Sequence, residues 1–180
     1  MTLSSISDHD VSSEKYLRSK YSICGVGETT YRRGSEESTL SLATWAISNA
    51  MADAGMKPED VDGMLSYSGN DSTHAPWVAG DLGIRLNLYM DVHGGGSSTE
   101  ALIGIAMGVI EAGMCKTVAI YRAMNGYSAV RIGGTGARSA VPITGDQIHH
   151  RAYGWQSAGQ MFAPTFLRHM YDYGTTPEQV

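Results

Sequence analysis

Leu86-Asn87-Leu88-Tyr89-Met90-Asp91-Val92-His93-Gly94-Gly95-Gly96-Ser97 is the stretch that decides the fold. Leu86 to Val92 reads as a strand, and an apolar helical run opens near Ser97. Three glycines between them strip the turn of side chains and admit positive φ. The helix that follows points its first N–H groups and the positive end of its dipole back at the turn. Neither Cys nor Ser stands among the glycines themselves. The turn therefore suits binding or polarisation better than covalent attack.

On either side of this unit, strands alternate with helices. Tyr21 to Gly27 reads as a first strand closing on a Gly-x-Gly turn. The spacing of Leu40, Ala43, Ile47, Ala50, Met51 and Ala54 predicts a helix over 39–54, with Gly55 at its C′ position. Lys57-Pro58-Glu59-Asp60-Val61 reads as a short turn, Gly63 to Ser68 as a second strand, and Ala75 to Leu82 as a short helix. The central helix is predicted over 97–112. Ala101, Leu102, Ile105, Ala106, Val109 and Ile110 cover most of its circumference, so it is expected to be buried on several sides, with Gly104 and Gly108 letting a neighbour approach. Thr117 to Tyr121 has the continuous apolar character of a strand inside a covered sheet. From Asn125 to Gly154 the pattern dissolves into a long loop, and a last helix is expected over 156–173, kinked at Pro164. Thr176-Pro177-Glu178-Gln179 has the form of a capping box, a helix start that suggests part of a longer polypeptide or completion against another chain. Residues 1–19 read as a mobile leader and 20–180 as one incomplete domain. The fold class is α/β, layered, a mixed sheet with helices on both faces.

Composition narrows the function. The chain has 180 residues, 42% hydrophobic and 17% charged, which describes a globular protein with a real core. A net charge of −5 and dispersed Lys and Arg argue against nucleic-acid binding. No run reaches the roughly 20 apolar residues of a membrane span, and the polar, acidic N-terminus fits neither a secretory signal nor a transit peptide. Cys24 and Cys115 match no metal spacing and read as small buried thiols, in a reducing, cytoplasmic setting.

Several of these stretches resemble one family. Ile23-Cys24-Gly25-Val26-Gly27-Glu28-Thr29-Thr30-Tyr31-Arg32-Arg33-Gly34, with Asp53-Ala54-Gly55 and Val61-Asp62-Gly63, resembles the opening of thiolase-fold proteins of the sterol-carrier and nonspecific lipid-transfer type. His93 to Ser98 and Tyr121-Arg122-Ala123-Met124-Asn125-Gly126 are more specific, and resemble thiolase-like aldolases that shorten acyl-CoA side chains, notably in bacterial steroid degradation. The resemblance covers about Tyr21 to Val180 and corresponds to the N-terminal half of the family's length. Counted back from the helix, Gly95 stands where a true thiolase carries its nucleophilic Cys. Glycine cannot accept an acyl group, so chemistry through an acyl-enzyme is not expected. The resemblance implies instead a helix dipole and N–H groups that stabilise an enolate or thioester oxygen during retro-aldol cleavage. It also implies proton-transfer tyrosines in the second half, a homodimeric core, and an OB-fold, zinc-ribbon accessory protein completing the acyl-CoA site. CoA thioester enters as substrate, with no resident cofactor and no metal.

Gly95, Ser97, His93 and Asn125 are the candidate catalytic positions, with Gly94, Gly96 and Ser98 around the bound thioester. Each also has a plain structural role. The glycines form a tight turn, Ser97, Ser98 and Thr99 cap a helix, and Glu100 complements its dipole. His93 packs on a neighbour or faces the cavity, and Asn125 fixes a loop or contacts the cavity. His149-His150-Arg151 reads as exposed loop or interface, because adjacent side chains diverge and no ligand-like spacing accompanies them. Tyr153 reads as packing or an interface contact, or reaches the cavity from its loop, and Arg32 and Arg33 read as a solvated turn or as contacts to CoA phosphates. Gly25-x-Gly27 lacks the third glycine of a dinucleotide fingerprint. Three functions are weighed: a carbon–carbon lyase acting on a β-hydroxyacyl-CoA, a non-catalytic acyl-CoA, lipid-binding or scaffold subunit, and an acyltransferase with Ser97 or Ser98 as nucleophile.

Overall fold

The central strand, β1 (Gly63–Tyr67), organises the molecule. The computed structural model describes residues 17, 19–68, 72–128, 145–155 and 158–180. In it β1 lies between β2 (Leu88–Val92) and β3 (Val118–Tyr121), and both neighbours run parallel to it. Gly63 pairs with Leu88 on one side and Val118 on the other, so all three strands start at one edge and end at the other. Parallel strands need crossover connections. Helix α2 (Ala75–Leu82) carries the chain from β1 to β2, and α3 (Ser98–Glu111) carries it from β2 to β3. Among the described residues no antiparallel strand joins this sheet.

Alternation along β1 assigns its two faces. Met64 turns towards α2 and α1 (Thr39–Ala54), in a core with Ala43, Ile47, Val78 and Tyr121. Leu65 turns the other way, onto Leu102 and Ala106 of α3. Helices thus cover both faces, as a parallel strand buried on both sides requires. The expected placement of 117–121 inside the sheet is corrected. The buried middle strand is β1, and β3 stands at an edge of the described sheet, because crossovers rather than apolar content set strand order.

Local signals in α1 hold to the residue. Ser38 accepts a hydrogen bond from the Ser41 N–H at 3.1 Å, and Gly55 closes the helix with φ 65°. The segment expected as the first strand differs: Tyr21–Gly27 forms none. It lies along α1 instead. The Val26 N–H donates to the Asp53 carboxylate at 2.9 Å, and the Asn49 amide donates to the Glu28 carbonyl at 2.9 Å. A Cβ on Gly25 or Gly27 would strike the Ala50 or Ala46 carbonyl of α1, so both glycines serve backbone contact. Cys24 is consequently exposed rather than buried, whereas Cys115 is buried as expected.

Two further expectations change. The central helix is buried along one stripe, Ser98, Leu102 and Ala106, because the sheet covers one side of it. Ala101, Ile103, Gly104 and Gly108 are exposed, and nothing lies within 4 Å of a Cβ built on either glycine. The region read as one loop from 125 to 154 contains a helix, α4 (Asp146–Ala152), while 129–144 lies outside the described residues. The leader likewise falls mostly outside them.

Contacts divide the chain into two units. The first holds the sheet with α1–α3 and ends at Met124; the second takes Arg33–Ser35 and the chain from Asn125 onward, with α4 and α5 (Ala158–Tyr173). Pro164 lies inside α5. In this second unit the His150 ring packs on Trp155, and the Thr176 N–H donates to the Gln179 side chain at 2.8 Å, as the capping-box pattern predicts.

Candidate functional site at the carboxyl edge of the sheet

β1, β2 and β3 all end at one edge of the first unit, the edge where open α/β sheets collect ligands. The Gly94–Gly96 turn leaves β2 there and enters α3. Residues 93–97 are exposed, and Gly95 and Gly96 face open space, with nothing within 4 Å of a Cβ built on either. Gly94 differs, since a Cβ there would collide with the buried Ser98 hydroxyl. None of the three uses positive φ. Absence of a side chain, rather than left-handed backbone, is what this turn needs from glycine.

Hydrogen bonds tie the turn to the end of β1. The Tyr67 hydroxyl donates to the Gly94 carbonyl at 3.1 Å. His93 Nδ1 lies 3.0 Å from the Ser68 carbonyl. A carbonyl only accepts, so Nδ1 carries the hydrogen, and a neutral His93 keeps its lone pair on Nε2. The Ser68 N–H extends the ladder to the Val92 carbonyl at 2.9 Å. Ser97 occupies the N-cap of α3 without a side-chain cap, and the first turn closes through the Ser98 N–H on the Gly95 carbonyl at 3.0 Å. The capping role expected for Ser97 is therefore not the one it plays. Glu100 does sit in the first turn, where its charge favours the dipole.

Three residues that received no site role from the sequence build the rest of this edge. Arg122, just after β3, lays its guanidinium on the Tyr67 ring at 4.7 Å and donates to the Ala123 carbonyl at 2.9 Å and to Ser72. Asp91, on the opposite face of β2, accepts from the Ser66 hydroxyl, from the Ala75 N–H at 2.9 Å and from His74 at 3.1 Å. It thereby caps α2, whose own N-cap residue His74 makes no side-chain cap bond. Tyr121 donates to the Thr73 carbonyl at 2.5 Å; burial raises its pKa, the Ser66 hydroxyl opposes the rise, and the Asp91 charge adds to it, so the phenol stays protonated. The missed signal was an acid in the strand run 88–92, whose partner Ser66 is fixed only by the register.

The other candidates divide by unit. His93, Gly94–Gly96, Ser97 and Ser98 come together in the first unit, whereas Asn125 belongs to the second, where its amide donates to the Ser35 carbonyl at 3.3 Å. Arg32 pairs with Glu37 at 3.4 Å, and Arg33 stacks over the Tyr127 ring at 5.0 Å. His149 and Tyr153 are exposed, and among the described residues no cluster of His, Cys, Asp or Glu is arranged to hold a metal.

At the amino edge of the sheet a polar pocket is lined by Met56, Glu59, Asp60, Asp62, Asn87, Lys116 and Thr117. Asp62 accepts there from the Lys116 and Thr117 N–H groups at 2.8 and 3.0 Å and from the Asn87 amide at 3.1 Å. Burial pushes its carboxyl pKa up, but these bonds outweigh burial and hold it below the usual value. That pocket joins strand starts and does not border the glycines.

No protein-family model matches the chain. The chain is 32% identical over 163 residues to a steroid side-chain-cleaving aldolase of Thermomonospora curvata, a match covering 87% of this chain and 41% of that protein. It is 35% identical over 118 residues to a 17-hydroxy-3-oxo-4-pregnene-20-carboxyl-CoA lyase of Mycobacterium tuberculosis, covering 65% of this chain and 30% of that one. The solved structure of an Ltp2-ChsH2(DUF35) aldolase aligns with a TM-score of 0.70 and 29% identity, over 86% of this chain and 38% of that chain. These relatives are named as a steroid side-chain-cleaving aldolase and a carboxyl-CoA lyase, and the chain shares the α/β fold of the aligned aldolase. The chain spans about two fifths or less of the length of the relatives it matches.

Proposed function

We propose that this chain supplies the polarising wall of an acyl-CoA lyase that cleaves a β-hydroxyacyl-CoA by retro-aldol chemistry. One observation carries the reading. The amino end of α3 opens to the surface through Gly95 and Gly96, with no nucleophilic side chain on the turn, in a chain whose homologues are aldolases. In the reaction a base removes the proton of the β-hydroxyl, the carbon–carbon bond between the α and β carbons breaks, and its electron pair moves into an enolate of the thioester. The oxygen that gains charge is the one that backbone N–H groups and a helix dipole stabilise. The conjugate acid then returns a proton to the α carbon, releasing a shorter acyl-CoA and an aldehyde or ketone.

On this chain Gly95 and Gly96 offer their N–H groups to the thioester oxygen, Gly94 and Ser98 set the turn, and Ser97 contacts the bound acyl group. His93 has the lone pair on Nε2 that can take the hydroxyl proton. The substrate is a CoA thioester, on a steroid or lipid side chain, and no resident cofactor is needed. The working form is a cytoplasmic homodimer with an OB-fold, zinc-ribbon accessory subunit; the two-part name of the aligned aldolase supports such a partner. Among the described residues no helix is long and apolar enough to cross a membrane.

The test incubates the protein with the accessory subunit and a panel of β-hydroxyacyl-CoAs, following products by mass spectrometry. A carbonyl compound with a matching shortened acyl-CoA is the expected result. Saturable binding across the panel without any carbonyl product would move the protein to the binding or scaffold class. A thioester-derived adduct on Ser97 or Ser98 would make it an acyltransferase.

A further inference from the structure

We propose that Tyr67 is a positioning residue, one that aims the Gly95 N–H by holding the peptide joining Gly94 to Gly95. The proposal rests on the lyase reading for its catalytic consequence and on geometry alone for the clamp. A glycine run is the most freely rotating backbone there is, so its N–H groups point nowhere in particular unless something holds them. In a trans peptide the carbonyl of one residue and the N–H of the next point in opposite directions. The Tyr67 hydroxyl holds the Gly94 carbonyl at 3.1 Å, which turns the Gly95 N–H away from Tyr67. Gly95 is exposed, and nothing lies within 4 Å of a Cβ built on it. The donor is thus fixed before a ligand arrives, which is the condition for a donor to favour charge developing in a transition state.

The phenol is itself well anchored. Its ring packs with Leu65 and the α3 core on one side of the sheet, and the Arg122 guanidinium lies 4.7 Å from its centroid. Arg122 is in turn fixed to the Ala123 carbonyl at 2.9 Å. The ends of β1 and β3 therefore converge on one peptide of the turn after β2. Tyr67 touches no reacting atom, and acts through the backbone.

Tyr67→Phe removes the hydroxyl and leaves the ring in place. Backbone 15N relaxation of the whole chain reads the clamp without any turnover. The order parameters of the Gly95 and Gly96 amides should fall from the rigid range of about 0.85 to below about 0.6, with those of β1, β2 and β3 unchanged as the check on folding. In the complex with the accessory subunit, kcat should fall by about tenfold or more while KM stays put, the mark of an interaction made in the transition state. Unchanged order parameters at Gly95 would overturn the clamp. Looser Gly95 and Gly96 amides with kcat retained would overturn the positioning role. Should the wild-type complex release no carbonyl product at all, the lyase reading fails, while the relaxation measurement still decides whether Tyr67 holds the turn.

Discussion

Gly94 and Gly95 are neighbours of the same residue type with different duties, and one methyl group separates them. At Gly94 a Cβ would run into the Ser98 hydroxyl, a side chain buried at the start of α3. At Gly95 the same Cβ meets nothing within 4 Å, and the backbone has no left-handed φ to forbid it. Gly94→Ala should therefore cost about 1–3 kcal/mol of stability through overpacking. Gly95→Ala should stay within about 0.5 kcal/mol of the wild type, as open surface positions do. Urea midpoints of the two variants measure this, and equal losses would mean that the turn is not built as described. The sequence announced the triplet as a group of three. It did not separate them, because the distinction depends on Ser98 folding back over Gly94, and glycine carries no side-chain pattern to reveal it.

Elements were legible where their signals are local. Ser38, the apolar stripe of α1 and Gly55 lie within one helix and its caps, and the helix forms over the predicted span. Tyr21–Gly27 was misread because Gly-x-Gly suits a strand end and a helix contact equally well. What decides between them is the α1 backbone at Ala46 and Ala50, some twenty residues away. The starts of the three strands are held by a device of the same nonlocal kind. Asp62 receives the N–H groups of Lys116 and Thr117 and the Asn87 amide, so one carboxylate joins the entries to all three. Removing it with Asp62→Ala leaves those donors without their acceptor, at a cost of about 1–3 kcal/mol at pH 7. The pH dependence follows from the direction of its shift. The folded carboxyl titrates below the unfolded one, so its stabilisation is complete above the ordinary Asp pKa of about 4 and is lost as pH falls through the lower, folded value. Urea unfolding of both proteins from pH 7 down to about pH 2 should show their gap shrinking below about pH 4. A gap that holds constant to the acid limit would assign the effect to packing instead.

Across the whole molecule, burial is distributed unequally, and that inequality should set the order of opening. β1 has Met64, Leu65 and Ser66 sealed from solvent, with helices on both of its faces. In the second unit, α5 is exposed along most of its length, including Phe162, Leu167, Tyr171 and Tyr173. Its visible support is local: Arg168 bonds Asp172 one turn on, and the His169 ring packs between Phe166 and Tyr173. Pairs of that type contribute only a few tenths of a kcal/mol each to a helix. Pro164 removes a backbone donor within the same helix. Apolar residues on α5 were plain in the sequence; that the fold gives them so little cover was not, because periodicity states which face is apolar and not what covers it. Local opening scales with such burial, so native-state hydrogen exchange should find the β1 amides slowest, opening only with global unfolding, and the α5 amides faster by orders of magnitude. If α5 exchanged as slowly as β1 in the protein alone at low concentration, its apolar face would have to be covered, and the exposure described here would be wrong.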